Sequence, residues 1–479
     1  MVSEPPIYDP LSSPSADEAA SIRSYISDAE GEIEELEQTI ASLSKRLHQW
    51  QSWVAAQKSR IAPVRRLPPE LLSYIFLLAH DTPESLLRQP RNVVVRVNAF
   101  WRAVAFSSPI LWSNVSLYGN MHENLASAVV TALLSRQLVY SRHYPLTIHY
   151  DSSWRSPLRG CLALLLENAH RWMDVSLQVD HHDMEIFQNS SVAFPLLERL
   201  DVDFPLRGTR INTLGSDWTL RCPKMSYLGL YADSVTDLQL TPWRQLAGLK
   251  LRASAQITLE ALSLAPQLTS AELFVSHPLQ TQWTRPVVNC SQLSVLKIDH
   301  GRPNSTEPHL IHLLRAPALR ELNFTNCSKH PDAQYATPAS LNAFLSASRC
   351  ALTWLSYRGS TAQQPFLDIL SLVPSLTYLA FKPFGHSVPH SFIRSLTQSD
   401  APGPRSLLPA LVTLELGRMP ELEDRDANLR EDIERMLCSR NAATEAGTLR
   451  SFTLSWRAEQ TDPDPLFAVP GLNMRILSY

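Results

Sequence analysis

The stretch L-R-E-L-N-F-T-N-C, at positions 319–327, carries the pattern that decides the fold. Leu319, Leu322 and Phe324 have the spacing L-x-x-L-x-L, and Cys327 completes the unit. Alternate side chains of an extended strand share one face, so Leu322 and Phe324 are expected to point inward together. Leu319 would turn inward from the preceding loop. The stretch therefore predicts a short strand with one apolar face to bury.

The same spacing returns along most of the chain. Units begin at residues 172, 197, 225, 246, 268, 293, 319, 352, 376, 411 and 449. Successive starts lie about 21 to 38 residues apart, and most intervals are near the 20–29 of leucine-rich repeats. Segments of helical spacing lie between them. One unit cannot bury its apolar face alone, whereas stacked units share a continuous core. For residues 119–479 we therefore predict a degenerate leucine-rich-repeat solenoid with a curved parallel sheet, an α/β fold.

The strand positions between the leucines are predicted to face outward, on the concave side of the solenoid. Such surfaces typically bind other proteins. Their charges are mixed, which gives no single-sign field. We nominate as residues that bind an unknown target protein Tyr227, Tyr231, Lys250, Arg252, Lys297, Arg320, Asn323 and Trp354.

A second repeating pattern, with a period of seven, occupies residues 17–61, after a Pro/Ser-rich segment 1–16 that we expect to be disordered. Its first seam consists of Ile26, Ile33, Ile40, Leu47 and Val54. Its second seam consists of Ile22, Ala29, Leu36, Leu43, Trp50 and Gln57. Seams of this kind predict a long helix.

Two interpretations of this helix stay open. In the first, the seam packs on the chain's own next domain or the helix is a solitary amphipathic helix, and its acidic first half and basic second half complement the helix dipole. Alternatively, residues 22–57 mediate homo-oligomerisation, in which an antiparallel partner would set acidic halves against basic halves.

Residues 62–118 carry a third pattern. The string L-P-P-E-L-L-S-Y-I-F, at 67–76, predicts a helix, because proline suits a helix start and an acidic residue suits the first turn. A short helix is predicted at 84–87. A third apolar segment follows Pro90 and includes V-N-A-F-W-R-A-V-A-F-S-S-P-I-L-W, at 97–112. Three short helices are therefore expected here.

These strings resemble the F-box-like domains that are abundant in mushroom-forming (basidiomycete) fungi, over about residues 65–115. In that family, a three-helix module docks onto the Skp-type adaptor of a cullin–RING ubiquitin ligase. The chain departs from the family at Asn98, where a cysteine or another small apolar residue is usual. Another interpretation is a module that only caps the solenoid. The resemblance implies an adaptor-binding surface of Leu67, Pro68, Leu71, Leu72, Ile75 and Phe76, with Val97, Trp101 and Trp112 holding or extending it.

Composition narrows the classes of partner. The 43 Lys and Arg residues nearly balance 46 Asp and Glu residues, so no bulk basic field is available to attract nucleic acid. Six scattered cysteines without a C-x-x-C pair indicate reduced, buried thiols. Neither a signal peptide nor an apolar run long enough for a membrane is recognisable. We therefore expect an intracellular protein, in the cytoplasm or nucleus, that binds no membrane.

Residues that could carry chemistry are few. No nucleotide-binding, serine-hydrolase or zinc-protease motif is recognisable. The nearest approach to a metal site, His181-His182-Asp183, is expected to be an exposed polar loop, because adjacent histidines on a strand face opposite ways. The sequence thus predicts no enzyme, no cofactor and no metal, but a substrate-recruiting adaptor of an SCF-type ubiquitin ligase. The alternatives are a protein-interaction scaffold outside any ligase, self-associated through the heptad helix, and an enzyme without a readable motif.

Overall fold

A computed structural model describes residues 15–79, 90–119, 125–152, 158, 160–190, 192–203, 218–232, 242–276, 287–300, 310–326, 331–359, 363–383, 388–398, 407–419, 427–441, 449–456 and 472–478. Residues 1–14 of the predicted tail, the predicted short helix at 84–87 and Cys327 lie outside this set. The chain divides into two compact units. The first comprises Met1–Asp81 and Val93–Ala105, and the second comprises Thr82–Asn92 and Phe106–Tyr479.

The first unit begins with one long helix, α1, Ala16–Ile61, which confirms the helix predicted from the heptads. Ser15 caps it: the Glu18 amide donates to Ser15 Oγ at 3.4 Å, and the Ser15 amide donates to Glu18 Oε2 at 2.8 Å. This reciprocal capping box satisfies two amides that a helix start otherwise leaves unpaired. The helix ends before Ala62-Pro63, since the residue that precedes a proline disfavours the helical conformation.

Three short helices follow: α2, Pro69–Leu78, α3, Pro90–Val97, and α4, Ala99–Ser107. Short 3-10 helices span Pro63–Arg66 and Pro109–Trp112. The apolar segment after Pro90 was expected to form one helix and instead forms two. The break falls at Asn98, whose Oδ1 accepts a hydrogen bond of 2.9 Å from the Trp101 amide. Asparagine is a favoured N-cap, so the residue that departs from the family pattern here starts a helix.

Sixteen strands are described, nearly all in the second unit's main sheet. They are β1 Asn114–Tyr118, β2 Leu146–Asp151, β3 Trp172–Gln178, β4 Arg199–Asp203, β5 Tyr227–Ala232, β6 Gly248–Ala253, β7 Ser270–Val275, β8 Val288–Asn289, β9 Val295–His300, β10 Leu314–Arg315, β11 Glu321–Asn326, β12 Trp354–Gly359, β13 Tyr378–Pro383, β14 Thr413–Met419, β15 Ser451–Trp456 and β16 Asn473–Ser478. Fourteen of these described strands form one parallel sheet in strict chain order. The remaining two, β8 and β10, pair separately.

Helices connect the strands. They are α5 Ser127–Ser141, α6 Cys161–Glu167, α7 His181–Asn189, α8 Trp218–Arg221, α9 Ala255–Leu264, α10 Pro331–Ser348, α11 Gln363–Ser371, α12 His390–Leu396 and α13 Ala427–Asn441. Short 3-10 helices span Ala169–Arg171, Trp243–Gln245 and Leu310–Leu313. None of the helices in the described ranges is long and apolar enough to cross a membrane.

The predicted leucine triads form the core of the second unit. Every member of the eleven triads is at most 8% exposed. Leu322 lies opposite Leu296 of β9 and Leu355 of β12, and Phe324 lies opposite Ile298 and Tyr357. The second and third triad positions thus form two continuous apolar rows across the strands. The expected α/β fold with a parallel sheet is confirmed.

Hydroxyl side chains at the start of the strands reinforce this register. Thr269 Oγ1 donates to the Ala247 carbonyl at 2.9 Å, Ser294 Oγ to the Thr269 carbonyl at 3.0 Å, and Thr377 Oγ1 to the Thr353 carbonyl at 2.9 Å. The same carbonyls accept backbone amides from the next strand start. Each strand is therefore fixed to its predecessor at the point where it begins.

Candidate interaction surfaces

The surface of the main sheet that faces away from the apolar rows has three rows of its own, which we call the outer face. Alternate residues of a strand point to opposite sides, so positions flanking the buried leucines align across neighbouring strands. The first row contains Asp174, Arg199, Tyr227, Trp354 and Tyr378. The second contains Asp201, Gly229, Lys250, Glu272 and Lys297, and the third contains Asp203, Tyr231, Arg252, Phe274 and Asp299.

The second row has an ion pair that spans an intervening strand. Lys250 Nζ lies 2.8 Å from Asp201 Oδ2, although β5 runs between their strands. Gly229 of β5 leaves the space, because a Cβ there would lie 2.2 Å from Asp201 Oδ1. Next to this pair, Lys297 Nζ lies 3.9 Å from Glu272 Oε2. Opposite charges thus alternate along the row.

The first row combines a cation with aromatic rings. The Arg199 guanidinium lies 3.5 Å from the centre of the Tyr227 ring and 3.8 Å from Asp174 Oδ1. Burial raises the pKa of Tyr227 to about 12, although Arg199 acts in the opposite direction. Further along the row, the rings of Trp354 and Tyr378 stack with their centres 4.9 Å apart. These rings form rigid apolar area on an otherwise polar surface.

The third row is also mixed in charge. The Arg252 guanidinium lies 3.9 Å from Asp203 Oδ1 and 5.4 Å from the centre of the Phe274 ring. Burial raises the pKa of Asp299, and Arg358 and Arg252 oppose that rise. The row therefore combines charged side chains of both signs with aromatic rings.

The structure brings seven of the eight nominated target-binding residues together on the outer face. Tyr227 and Trp354 lie in the first row, Tyr231 and Arg252 in the third, and the second row contains Lys250, Lys297 and Asn323. Arg320 is the exception. It precedes β11, and its carbonyl accepts the amides of Thr353 and Trp354 at the edge of the sheet.

Sequence reasoning did not nominate several members of the outer face: Asp174, Asp203, Glu272, Phe274 and Tyr378. They occupy the same positions relative to the leucines as the nominated residues, so the spacing contained the signal. Which of these side chains contact one another could not be predicted, because those contacts depend on which strands become neighbours in the sheet.

The first unit has an apolar surface on α2. Leu71 is 53% exposed, Ile75 44% and Leu78 64%, at helical spacing along one side of the helix. Val93 and Val97 of α3 are likewise exposed. Exposed apolar side chains that cluster in this way mark interaction sites.

Two of the predicted adaptor-facing residues lie inside the unit instead. Leu72 is fully buried and Phe76 is 3% exposed, and the Phe76 ring contacts the Trp101 ring at 5.0 Å between centres. A helix buries the side that faces its neighbours, and these two residues share that side. As a correction, four of the six, Leu67, Pro68, Leu71 and Ile75, remain accessible, as does Val97, and Trp101 is half-buried.

Trp112 belongs to the second unit. Its ring contacts those of Phe106 and Tyr140, with centres 5.5 and 4.9 Å away, and it is 6% exposed. Trp112 therefore packs in a core rather than on an accessible surface.

The segment His181-His182-Asp183 is not an exposed loop, which corrects the expectation from sequence. It is the first turn of α7, capped by Asp180, whose Oδ1 accepts the Asp183 amide at 2.9 Å. Asp183 is buried and accepts a hydrogen bond of 2.6 Å from the Tyr150 hydroxyl. Aspartate is a favoured N-cap residue, so Asp180 favours the start of a helix at this point of the chain. Across the described residues, no group of three or more His, Cys, Asp or Glu side chains could hold a metal ion.

No protein-family model matches the chain, and no curated protein matches its sequence. The resemblance of residues 65–115 to F-box-like domains therefore stays a prediction from the motif residues.

Proposed function

We propose that this protein is a non-catalytic substrate-recruiting subunit of an SCF-type ubiquitin ligase. The first unit docks the Skp-type adaptor, and the second unit is a leucine-rich-repeat solenoid that holds a target protein. The proposal rests chiefly on α2, which is apolar on two sides. One side, with Leu72 and Phe76, fills its own unit, and the other, with Leu71, Ile75 and Leu78, is left for a partner.

The stacked leucine triads support the repeat architecture. The strands of the main sheet follow one another in chain order and are all parallel. A buried triad recurs at each strand of this sheet from β3 to β15. Such an arrangement makes each unit depend on its neighbours for burial, as in repeat proteins.

Target binding is assigned to the outer face. Rows of alternating charge and stacked rings offer many fixed hydrogen-bond donors and acceptors with apolar anchors between them. Protein interfaces are rich in aromatic residues and arginine at their centres. Ubiquitin transfer would then follow from proximity within the assembly.

Adaptor docking is tested by titrating purified Skp-type adaptor into the full chain and into a Leu71→Asp, Ile75→Asp variant. We expect the wild type to bind and the variant to bind at least about 100-fold more weakly, because each lost anchor costs about 2 kcal/mol. Val129→Asp with Val139→Asp is the matched control, since these valines are also exposed on a helix, 46% and 71%, in the other unit. Equal binding by both variants, or none by the wild type, would rule out the docking surface.

Target binding is tested by quantitative mass spectrometry of proteins that co-purify with the full chain. A Tyr231→Ala, Arg252→Glu variant should lose a set of proteins that the Leu71→Asp, Ile75→Asp variant retains, and should keep the adaptor. An unchanged set for the outer-face variant would exclude this surface as the recruiting site.

A further inference from the structure

The helix α1 carries a long apolar seam that the structure leaves exposed. The exposed members are Ile26 at 50%, Ile33 at 55%, Leu36 at 58%, Ile40 at 62%, Leu43 at 57%, Leu47 at 58%, Trp50 at 56%, Val54 at 40% and Ile61 at 76%. In heptad terms they fill positions a and d, the positions that insert into a partner helix. Leaving so much aligned apolar surface in water is costly, about 25 cal/mol for each Å².

The charges of α1 are separated along its length. Acidic side chains lie at Asp28, Glu30, Glu32, Glu34, Glu35 and Glu37, and basic side chains lie at Lys45, Arg46, Lys58 and Arg60. The two groups are too far apart for the i, i+4 pairs that a helix can form with itself. None of these ten side chains forms an ion pair with another residue that the structure describes. Their charges are therefore available to a partner.

We propose that α1 pairs with α1 of a second copy of this chain as an antiparallel two-stranded coiled coil. In the register we favour, Ile40 lies opposite Leu43 of the second copy, Ile33 opposite Trp50, and Leu36 opposite Leu47. The small Ala29 then meets Val54, and Ile22 meets Ile61. Every layer of the seam except that of Ile26 and Gln57 is fully apolar.

Charge selects this orientation. In an antiparallel pair, e positions flank e positions and g positions flank g positions of the partner helix. This register brings Glu30 beside Lys58 and Glu32 beside Arg46 of the second copy, and symmetry repeats each pair. A parallel pair would instead set Glu32 beside Glu37 of its partner and align the acidic halves. Charges at e and g positions determine partner orientation in coiled coils.

The orientation has a consequence for the whole protein. The helix α1 leads at Ile61 directly into the segment that carries α2. In the antiparallel register, the two Ile61 residues lie about 60 Å apart, since a helix rises 1.5 Å per residue. The dimer therefore carries one α2 surface at each end of the coiled coil, so that it is bivalent for whatever binds α2 and for whatever binds the outer face.

Sedimentation velocity of the full chain across the micromolar range tests the pairing. We expect the wild type to be a dimer. An Ile40→Glu, Leu43→Glu variant should be a monomer at every concentration, with its circular dichroism strand signal unchanged. The matched control Gln38→Glu, Ser52→Glu adds the same charge on the opposite side of α1 and should remain a dimer. A monomeric wild type, a higher oligomer, or a seam variant that still dimerises would overturn the proposal.

A charge swap tests the orientation without touching the seam. Lys58→Glu should weaken dimerisation about fivefold or more, because it removes two ion pairs and sets like charges together. Adding Glu30→Lys to the same chain should restore the wild-type dissociation constant, since each of the two ion pairs would then be re-formed with its charges exchanged. Residues 30 and 58 are far apart in a parallel pair. Failure of the second substitution to restore dimerisation would therefore rule out the antiparallel arrangement.

Discussion

Two repeating apolar patterns in this chain have opposite outcomes. The triads of the main sheet are at most 8% exposed, whereas the exposed members of the α1 seam range from 40% to 76%. Both patterns are regular and both are rich in leucine and isoleucine. They differ in where the next repeat lies: each strand of the sheet has its neighbour in the same chain, a few tens of residues away, whereas a heptad seam needs a second helix. A periodic pattern thus predicts which side chains require burial, but not which chain supplies the partner.

The largest expected effect on the free energy of unfolding comes from truncating one leucine to alanine in each of the two patterns. Leu322→Ala removes a fully buried side chain between β9 and β12 and should lower the free energy of unfolding by about 2–5 kcal/mol. Leu36→Ala, at a site that is 58% exposed, should change it by about 0.5 kcal/mol or less in dilute solution. Urea denaturation followed by circular dichroism measures both. Equal losses would contradict the distinction between the two patterns.

A smaller effect on the free energy of unfolding is expected from carboxylates whose pKa is lowered by hydrogen bonds, one in each unit. Burial opposes the ionisation of Asp432, but hydrogen bonds from His390 Nδ1 at 3.2 Å and Arg394 Nε at 2.9 Å outweigh it, and its pKa lies below the ordinary value. The pKa of the exposed Glu18 is also lowered, by hydrogen bonds with Ser15. Because both pKa values fall on folding, the stabilisation is complete above the unfolded value, near 4, and is lost as the pH falls through the folded value.

The corresponding variant is Asp432→Asn. It should lower the free energy of unfolding by about 1–3 kcal/mol at neutral pH, and the difference from wild type should shrink on acidification below about pH 4. Glu431→Gln is the control, because it removes the same charge from an exposed neighbour that also pairs with Arg435, and should cost about 0.5 kcal/mol or less. Denaturation midpoints across the acidic range measure this. A constant difference for Asp432→Asn would contradict the assignment.

The smallest effects on stability are expected from replacing two glycines by alanine, and these two effects have opposite signs. Gly229→Ala should destabilise the second unit by about 1 kcal/mol, because its Cβ would displace Asp201 from Lys250. Gly31→Ala meets nothing within 4 Å and should stabilise α1 by about 0.5–1 kcal/mol. Denaturation measures the first, and the helical circular dichroism signal measures the second. In an Asp201→Ala background, the cost of Gly229→Ala should nearly vanish; persistence of the full cost would exclude the ion pair as its cause.

The sequence predicted best what depends on local spacing. The triads, the long helix and the parallel α/β fold follow from periodicity, because burial of a face imposes its period on the chain. Which side of α2 is buried could not be predicted in this way, since both sides are apolar. The family resemblance placed Leu72 and Phe76 on the surface, whereas the structure buries both. Asn98 and Asp180 act through single hydrogen bonds to nearby amides, which a spacing pattern does not register.

The outer face was predicted in position but not in contacts. Lys250 and Asp201 are 49 residues apart in sequence, and their contact requires both the strand order and a glycine between them. Arg320 was misplaced for a related reason, because the strand begins one residue later. Register across neighbouring strands determines such contacts, and a single sequence does not contain it.

Hydrogen–deuterium exchange of the full chain at low and high protein concentration tests the central distinction most directly. We expect amides of the main sheet to exchange slowly at both concentrations, because their partners lie in the same chain. Amides of α1 should exchange rapidly at low concentration, since an isolated helix is marginal in water, and slowly at high concentration. Equal protection of α1 at both concentrations would show that its seam has no partner in a second copy, and rapid exchange in the central strands would show that the triads do not form a stable core.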